Sequence, residues 1–158
     1  PAVAVLVEPD RVRLTRELLG AAARLASELG GRVVALGALL PPVEDLGTFG
    51  ADEAVTIAGA LVEEDVAAGV VDWAATAEPW AVLTPSTAWG REVASRVAAA
   101  LGAGLTGDAV GLTVEDGPAW RGSRRSAGCS WRRCARAPRC SSSRCAPGCC
   151  PSSSVGGR

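Results

Sequence analysis

Ala2-Val3-Ala4-Val5-Leu6-Val7 is an unbroken run of β-branched and small apolar residues, and together with the helix after it this run decides the fold. A strand with one wet face alternates apolar and polar residues. This run does not alternate, so it suits a strand covered on both faces, as in a parallel sheet. Pro9-Asp10 ends it. Leu14, Leu18, Ala22, Leu25 and Leu29 then recur at helical spacing, and Gly30-Gly31 closes that helix.

The same alternation continues down the chain. Arg32-Val33-Val34-Ala35-Leu36 reads as a second strand, and Pro41-Pro42 as a break. A short helix over Val43 to Leu46 leads to Gly47 and Gly50, and Glu53-Ala54-Val55-Thr56-Ile57 is a third, weaker strand. Leu61, Val62, Val66, Val70 and Trp73 form a helical stripe. Glu63, Glu64 and Asp65 fall in its first turn, where the helix dipole favours anions. Trp80-Ala81-Val82-Leu83-Thr84 is a fourth strand. Thr87 caps a helix whose inner face is Val93, Ala94, Val97, Ala98 and Leu101, ending at Gly102. Asp108-Ala109-Val110-Gly111-Leu112-Thr113-Val114 is a fifth strand, with a turn at Asp116-Gly117. The order βαβαβαβαβ predicts an α/β three-layer sandwich: a mainly parallel sheet, right-handed crossovers, helices on both faces.

Composition then breaks. Residues 1–120 hold 17 acidic side chains, 7 Arg and no Cys. Residues 121–158 hold 9 Arg, no acid and all six cysteines: Cys129, Cys134, Cys140, Cys145, Cys149 and Cys150. The formal net charge of −1 therefore hides a part near −10 and a part near +9. The acidic body argues against nucleic-acid binding, and the basic segment has only sequence-independent charge to offer a polyanion. The break sets the expected organisation: one folded domain over residues 1–122 and a disordered Cys/Arg-rich tail over 123–158. No apolar run approaches the ~20 residues needed to span a bilayer, and no basic segment precedes the first strand. The expected location is cytoplasmic, where thiols stay reduced.

The residue inventory removes most chemistry. The chain has no His, Lys, Tyr, Met, Asn or Gln. A Ser-His or Cys-His pair, a Schiff base and a P-loop lysine are all excluded. The acids fall on helix ends and turns, where they serve as a solvated face. Gly102-Ala103-Gly104-Leu105-Thr106-Gly107 matches G-x-G-x-x-G, but a helix precedes it and a strand comes after, the reverse of the dinucleotide fingerprint. It reads as a helix C-cap and a turn. Thr84-Pro85-Ser86-Thr87 followed by Ala88-Trp89-Gly90-Arg91-Glu92 does have the right context of strand, loop and helix start. There an α/β sheet offers N–H groups to an anion, with Arg91 to add charge. The plainer reading is capping by Thr87 with Arg91 on the surface. The cysteines contain no C-x-x-C pair, and Cys149 and Cys150 are adjacent, so their spacing is not that of a zinc site. No catalytic, cofactor-binding or metal residue is assigned, and the chain is not expected to be an enzyme.

Several stretches resemble the N-terminal domain of the electron-transfer flavoprotein α subunit. Val5-Leu6-Val7-Glu8, followed by a helix with Glu17-Leu18-Leu19 and Ala22-Ala23-Arg24-Leu25-Ala26, is similar to that family. So is Leu46-Gly47-Thr48-Phe49-Gly50-Ala51-Asp52-Glu53-Ala54-Val55. The most specific part runs from Gly90-Arg91-Glu92-Val93-Ala94-Ser95-Arg96-Val97-Ala98-Ala99-Ala100-Leu101 to Gly102-Ala103-Gly104-Leu105-Thr106-Gly107-Asp108. The family places a Gly-basic pair, an Arg-Val-Ala-Ala-x-Leu helix and a Gly-Leu-x-x-Asp turn in this order. The resemblance covers residues 2–122.

The family would next show a Pro-Ala-Phe-Gly-Gly-like stretch and a Thr-Val-Arg-Pro-Gly strand. Ser, Arg and Cys stand there instead. A frameshift accounts for this. In the frame that takes the third base of one codon and the first two of the next, the central base is the first base of the present codon. Cys, Trp and TCN-type Ser start with T, and a central T encodes an apolar residue. Read so, the region from about Ser123 regains both motifs in the right order, and the cysteines become Leu or Val.

The resemblance implies a heterodimer with a β subunit. The pair takes electrons from flavin dehydrogenases and passes them on through FAD held mainly by the α subunit's C-terminal domain. That domain lies outside this sequence, so the chain is expected to act as scaffold and β-subunit contact, meeting dehydrogenases only indirectly and not binding FAD itself. Loss of the later strands would leave an unpaired sheet edge, marginal stability and poor solubility. The alternative is a stand-alone nucleotide-binding α/β module of the universal-stress-like class. A Gly-rich loop placed after a helix counts against it.

Overall fold

The computed structural model describes residues 1–107, 111, 112 and 114. The strands are β1 (Ala2–Leu6), β2 (Arg32–Gly37), β3 (Glu53–Thr56) and β4 (Ala81–Leu83). The helices are α1 (Val12–Leu29), α2 (Val43–Phe49), α3 (Glu63–Ala77) and α4 (Ala88–Leu101). The four strands form one parallel sheet in the order β3-β2-β1-β4. Ala2 stands opposite Arg32 and Leu6 opposite Leu36, while Val3 to Val5 pair with Ala81 to Leu83 on the other side. The α/β class with a parallel sheet is as the alternation predicts.

The unbroken apolar run makes sense once the layers are seen. Ala2, Ala4 and Leu6 of β1 pack with Val66 and Val70 of α3 and Val93 and Val97 of α4. Val3, Val5 and Val7 pack on the opposite face with Leu19, Ala22 and Leu25 of α1 and Leu46 of α2. Both faces of β1 are therefore dry. Burying each such Val or Leu contributes roughly 1.5–3 kcal/mol of apolar transfer energy. A charge at any position from Ala2 to Val7 would have no wet side to reach.

The helix ends are where local chemistry places them. Gly30 ends α1 in the left-handed region at φ 60°. The Gly31 N–H reaches back to Ala26 O at 2.8 Å, satisfying a carbonyl the helix leaves open. Gly102 ends α4 in the same way, with Ala103 N donating to Ala98 O at 2.9 Å. The Gly102–Gly107 segment is thus a helix terminus. Asp52 pins the start of β3. Its backbone N–H donates to Val33 O at 2.9 Å, and its carboxylate accepts from Val33 N at 2.7 Å.

Several details differ from the sequence expectation. In α1 the buried residues are Thr15, Leu19, Ala22, Leu25 and Ala26, so the inner face is turned relative to the leucine stripe. Leu14, Leu18 and Leu29 are half-buried along its flank. Leu19 and Leu25 are buried on that face with Thr15, Ala22 and Ala26. Leu61 and Val62 do not belong to the α3 stripe. They precede the helix and are exposed, and Val66, Ala67, Val70 and Ala74 carry the packing. The short helix predicted to stop at Leu46 runs through Gly47 to Phe49 and is capped by Gly50.

Of the fifth predicted strand, Gly111, Leu112 and Val114 are described and are not in a strand; the rest lies outside the described residues. Leu112 and Val114 pack against the α1 side of the core, and Val114 N donates to Glu28 Oε2 at 3.2 Å. β4 is the last strand on its side among the described residues, yet Ala81, Val82 and Leu83 are all buried. Among the described residues β4 has no strand on its outer side, and its side chains are buried between the helices. The Asp116-Gly117 turn, the six cysteines and the tail over 123–158 lie outside the described residues.

Candidate functional site

A sheet of order β3-β2-β1-β4 reverses its direction of winding between β1 and β4. In open α/β sheets, ligands bind at the carboxyl ends of the strands at such a reversal. The candidate site is therefore built from the residues leaving β1, Glu8 to Arg11, and those leaving β4, Thr84 to Arg91.

The β4–α4 connection is held by its own backbone and cap. Thr87 is the N-cap of α4, in extended backbone at φ −92° and ψ 170°, and its hydroxyl accepts from Gly90 N at 3.0 Å. Gly90 is buried, and a Cβ added there would strike the carbonyl oxygen of buried Pro85. The helix start thus lies flat on the loop that precedes it. Arg91 is exposed, and its guanidinium donates to Ser86 Oγ at 3.1 Å. The plainer reading of this segment, cap plus surface arginine, is the one the geometry supports.

The residue that sequence reasoning missed is Glu8. Its side chain is only 12% exposed. The Thr87 hydroxyl donates to Glu8 Oε2 at 2.7 Å, and Arg11 Nε stands 3.7 Å from Glu8 Oε1. The chain's own carboxylate has reached the start of α4, where an incoming anion would otherwise be received. Glu8 and Thr87 are 79 residues apart in sequence, and only the adjacency of β1 and β4 brings them together.

This arrangement can be tested against the groups the fold invites. A dinucleotide needs backbone N–H groups aimed at its pyrophosphate and glycine where the backbone comes close. Here β1 is followed by Glu8-Pro9-Asp10. Proline has no N–H to give. A phosphate 4 Å from the Glu8 carboxylate would meet a repulsion of about 4 kcal/mol at an effective dielectric of 20. The described residues do not fit the pyrophosphate of a flavin dinucleotide, nor the phosphates of a free nucleotide. Among them, no group of three or more His, Cys, Asp or Glu is placed to hold a metal.

Away from the crevice, Arg96 of α4 ties the outer helices. It stands 2.8 Å from Glu92 of its own helix and 3.0 Å from Glu64 of α3. The hydrogen bond with Glu92, aided by Glu64 and Glu63, raises the Arg96 pKa above its ordinary value. The guanidinium stays charged at every pH the fold meets. No helix among the described residues is long and apolar enough to cross a membrane.

The protein named FixB from Clostridium saccharobutylicum is 32% identical over 114 residues, which are 68% of this chain and 34% of that protein. The chain thus spans about one third of the length of the curated relative it matches. The electron transfer flavoprotein domain matches residues 7–140, most of the chain. That match over most of the chain leads to one assignment: the chain belongs to the electron transfer flavoprotein domain family.

Proposed function

We propose that this chain is the N-terminal scaffold domain of an electron-transfer flavoprotein α subunit. Its role is to contact the β subunit of a heterodimer that moves electrons from flavin dehydrogenases through FAD. The chain performs no turnover of its own, and it works in the cytoplasm. The single observation that carries this is the family match over residues 7–140, with the FixB relative matching over 114 residues. The filled crevice supports the division of labour. With Glu8 at the start of α4, this domain offers FAD no phosphate site, and the flavin falls to a domain beyond it.

The test is co-expression with the β subunit of the same organism, followed by co-purification and flavin absorbance. The chain should co-elute with its partner and carry no flavin when purified alone. Stoichiometric FAD on the isolated chain would refute the scaffold role.

The domain ends near residue 122, and residues 123–158 are a wrong-frame translation of the stretch that the family carries at this place. The composition break carries this part: nine Arg, six Cys and no acid over residues 121–158, after a segment with seventeen acids. The family match overlaps the first part of the segment, to residue 140. The nucleotide sequence decides the matter. If the shifted frame does not yield Pro-Ala-Phe-Gly-Gly and Thr-Val-Arg-Pro-Gly in order, the frameshift is wrong.

A further inference from the structure

We draw no further inference here: the strongest candidate, the outer edge of β4 at Ala81–Leu83, has no neighbouring strand among the described residues although its side chains are buried, and nothing in the structure shows what covers it.

Discussion

Gly90→Ala should destabilise this protein, although helix propensity alone predicts the reverse. Gly90 lies in the first turn of α4. Replacing a helical glycine by alanine normally gains roughly 0.5–1 kcal/mol. Here the new Cβ would fall on the Pro85 carbonyl oxygen and lie 2.7 Å from Pro85 Cγ. The obstacle is backbone, so no side chain can rotate away. Pro85 is buried, and two residues later Thr87 holds both the α4 cap and Glu8. Overpacking of this kind costs about 1–3 kcal/mol, and the immovable obstacle places it at the upper end. The net loss is about 1–2 kcal/mol, or about 4–8 °C of Tm for each kcal/mol in a domain of this size. Gly20→Ala is the internal control. Gly20 sits mid-way along α1 with nothing within 4 Å of its added Cβ, so it should gain roughly 0.5–1 kcal/mol. Urea and thermal melts monitored by circular dichroism would measure both. A Gly90→Ala protein as stable as wild type would refute the close seating of α4 on Pro85.

The same contacts set three further outcomes. Asp52→Ala leaves the Val33 N–H without its 2.7 Å acceptor and should cost about 1–3 kcal/mol, with faster hydrogen exchange at that amide; unchanged exchange would contradict the contact. Thr87→Ala removes the α4 cap and the partner of Glu8 together and should cost about 1–2 kcal/mol, whereas Thr87→Ser should recover most of it. If serine is no better than alanine in denaturant melts, the hydroxyl is not the group that matters. AMP or ATP at millimolar concentration should leave Tm unchanged. A site with a Kd one hundredth of the ligand concentration would add about 2.7 kcal/mol, so a rise of several degrees would show the crevice open to phosphate.

The four strands of the sheet and the ends of α1 and α4 were legible in the sequence because their causes are local. An apolar run without alternation means two dry faces, and Gly30 and Gly102 mark helix ends by taking the left-handed conformation. The inner face of α1 was legible in part: Ala22 and Leu25 are buried as the spacing predicts, whereas Leu14, Leu18 and Leu29 are half-buried and Thr15, Leu19 and Ala26 take the other buried positions. Leu61 and Val62 were drawn into a helical stripe by spacing alone, where the helix starts one residue after Val62. The site was half legible. Thr87 as a cap and Arg91 as a surface residue are set by their neighbours. Glu8 is not, because its partner is set by strand order, and no local pattern says that β4 lies beside β1.

That strand order also governs what the fold can be used for. A parallel sheet that reverses between β1 and β4 presents a crevice, and many chains place phosphate there by ending β1 in glycine. This chain ends β1 in Val7-Glu8-Pro9, which supplies a carboxylate and removes an N–H donor. The substitution has two consequences at once. It satisfies the start of α4 internally, so the β1–β4 junction is held by a side-chain bond as well as by the ladder. It also turns the nearest binding position from attractive to repulsive for phosphate. Leu39, Val43, Leu61 and Val62 stand exposed in the connections that leave the same end of the sheet. Glu8→Gln keeps the hydrogen-bond acceptor and removes the charge. It should therefore preserve the fold, whereas a role for Glu8 in ligand chemistry would require the charge itself.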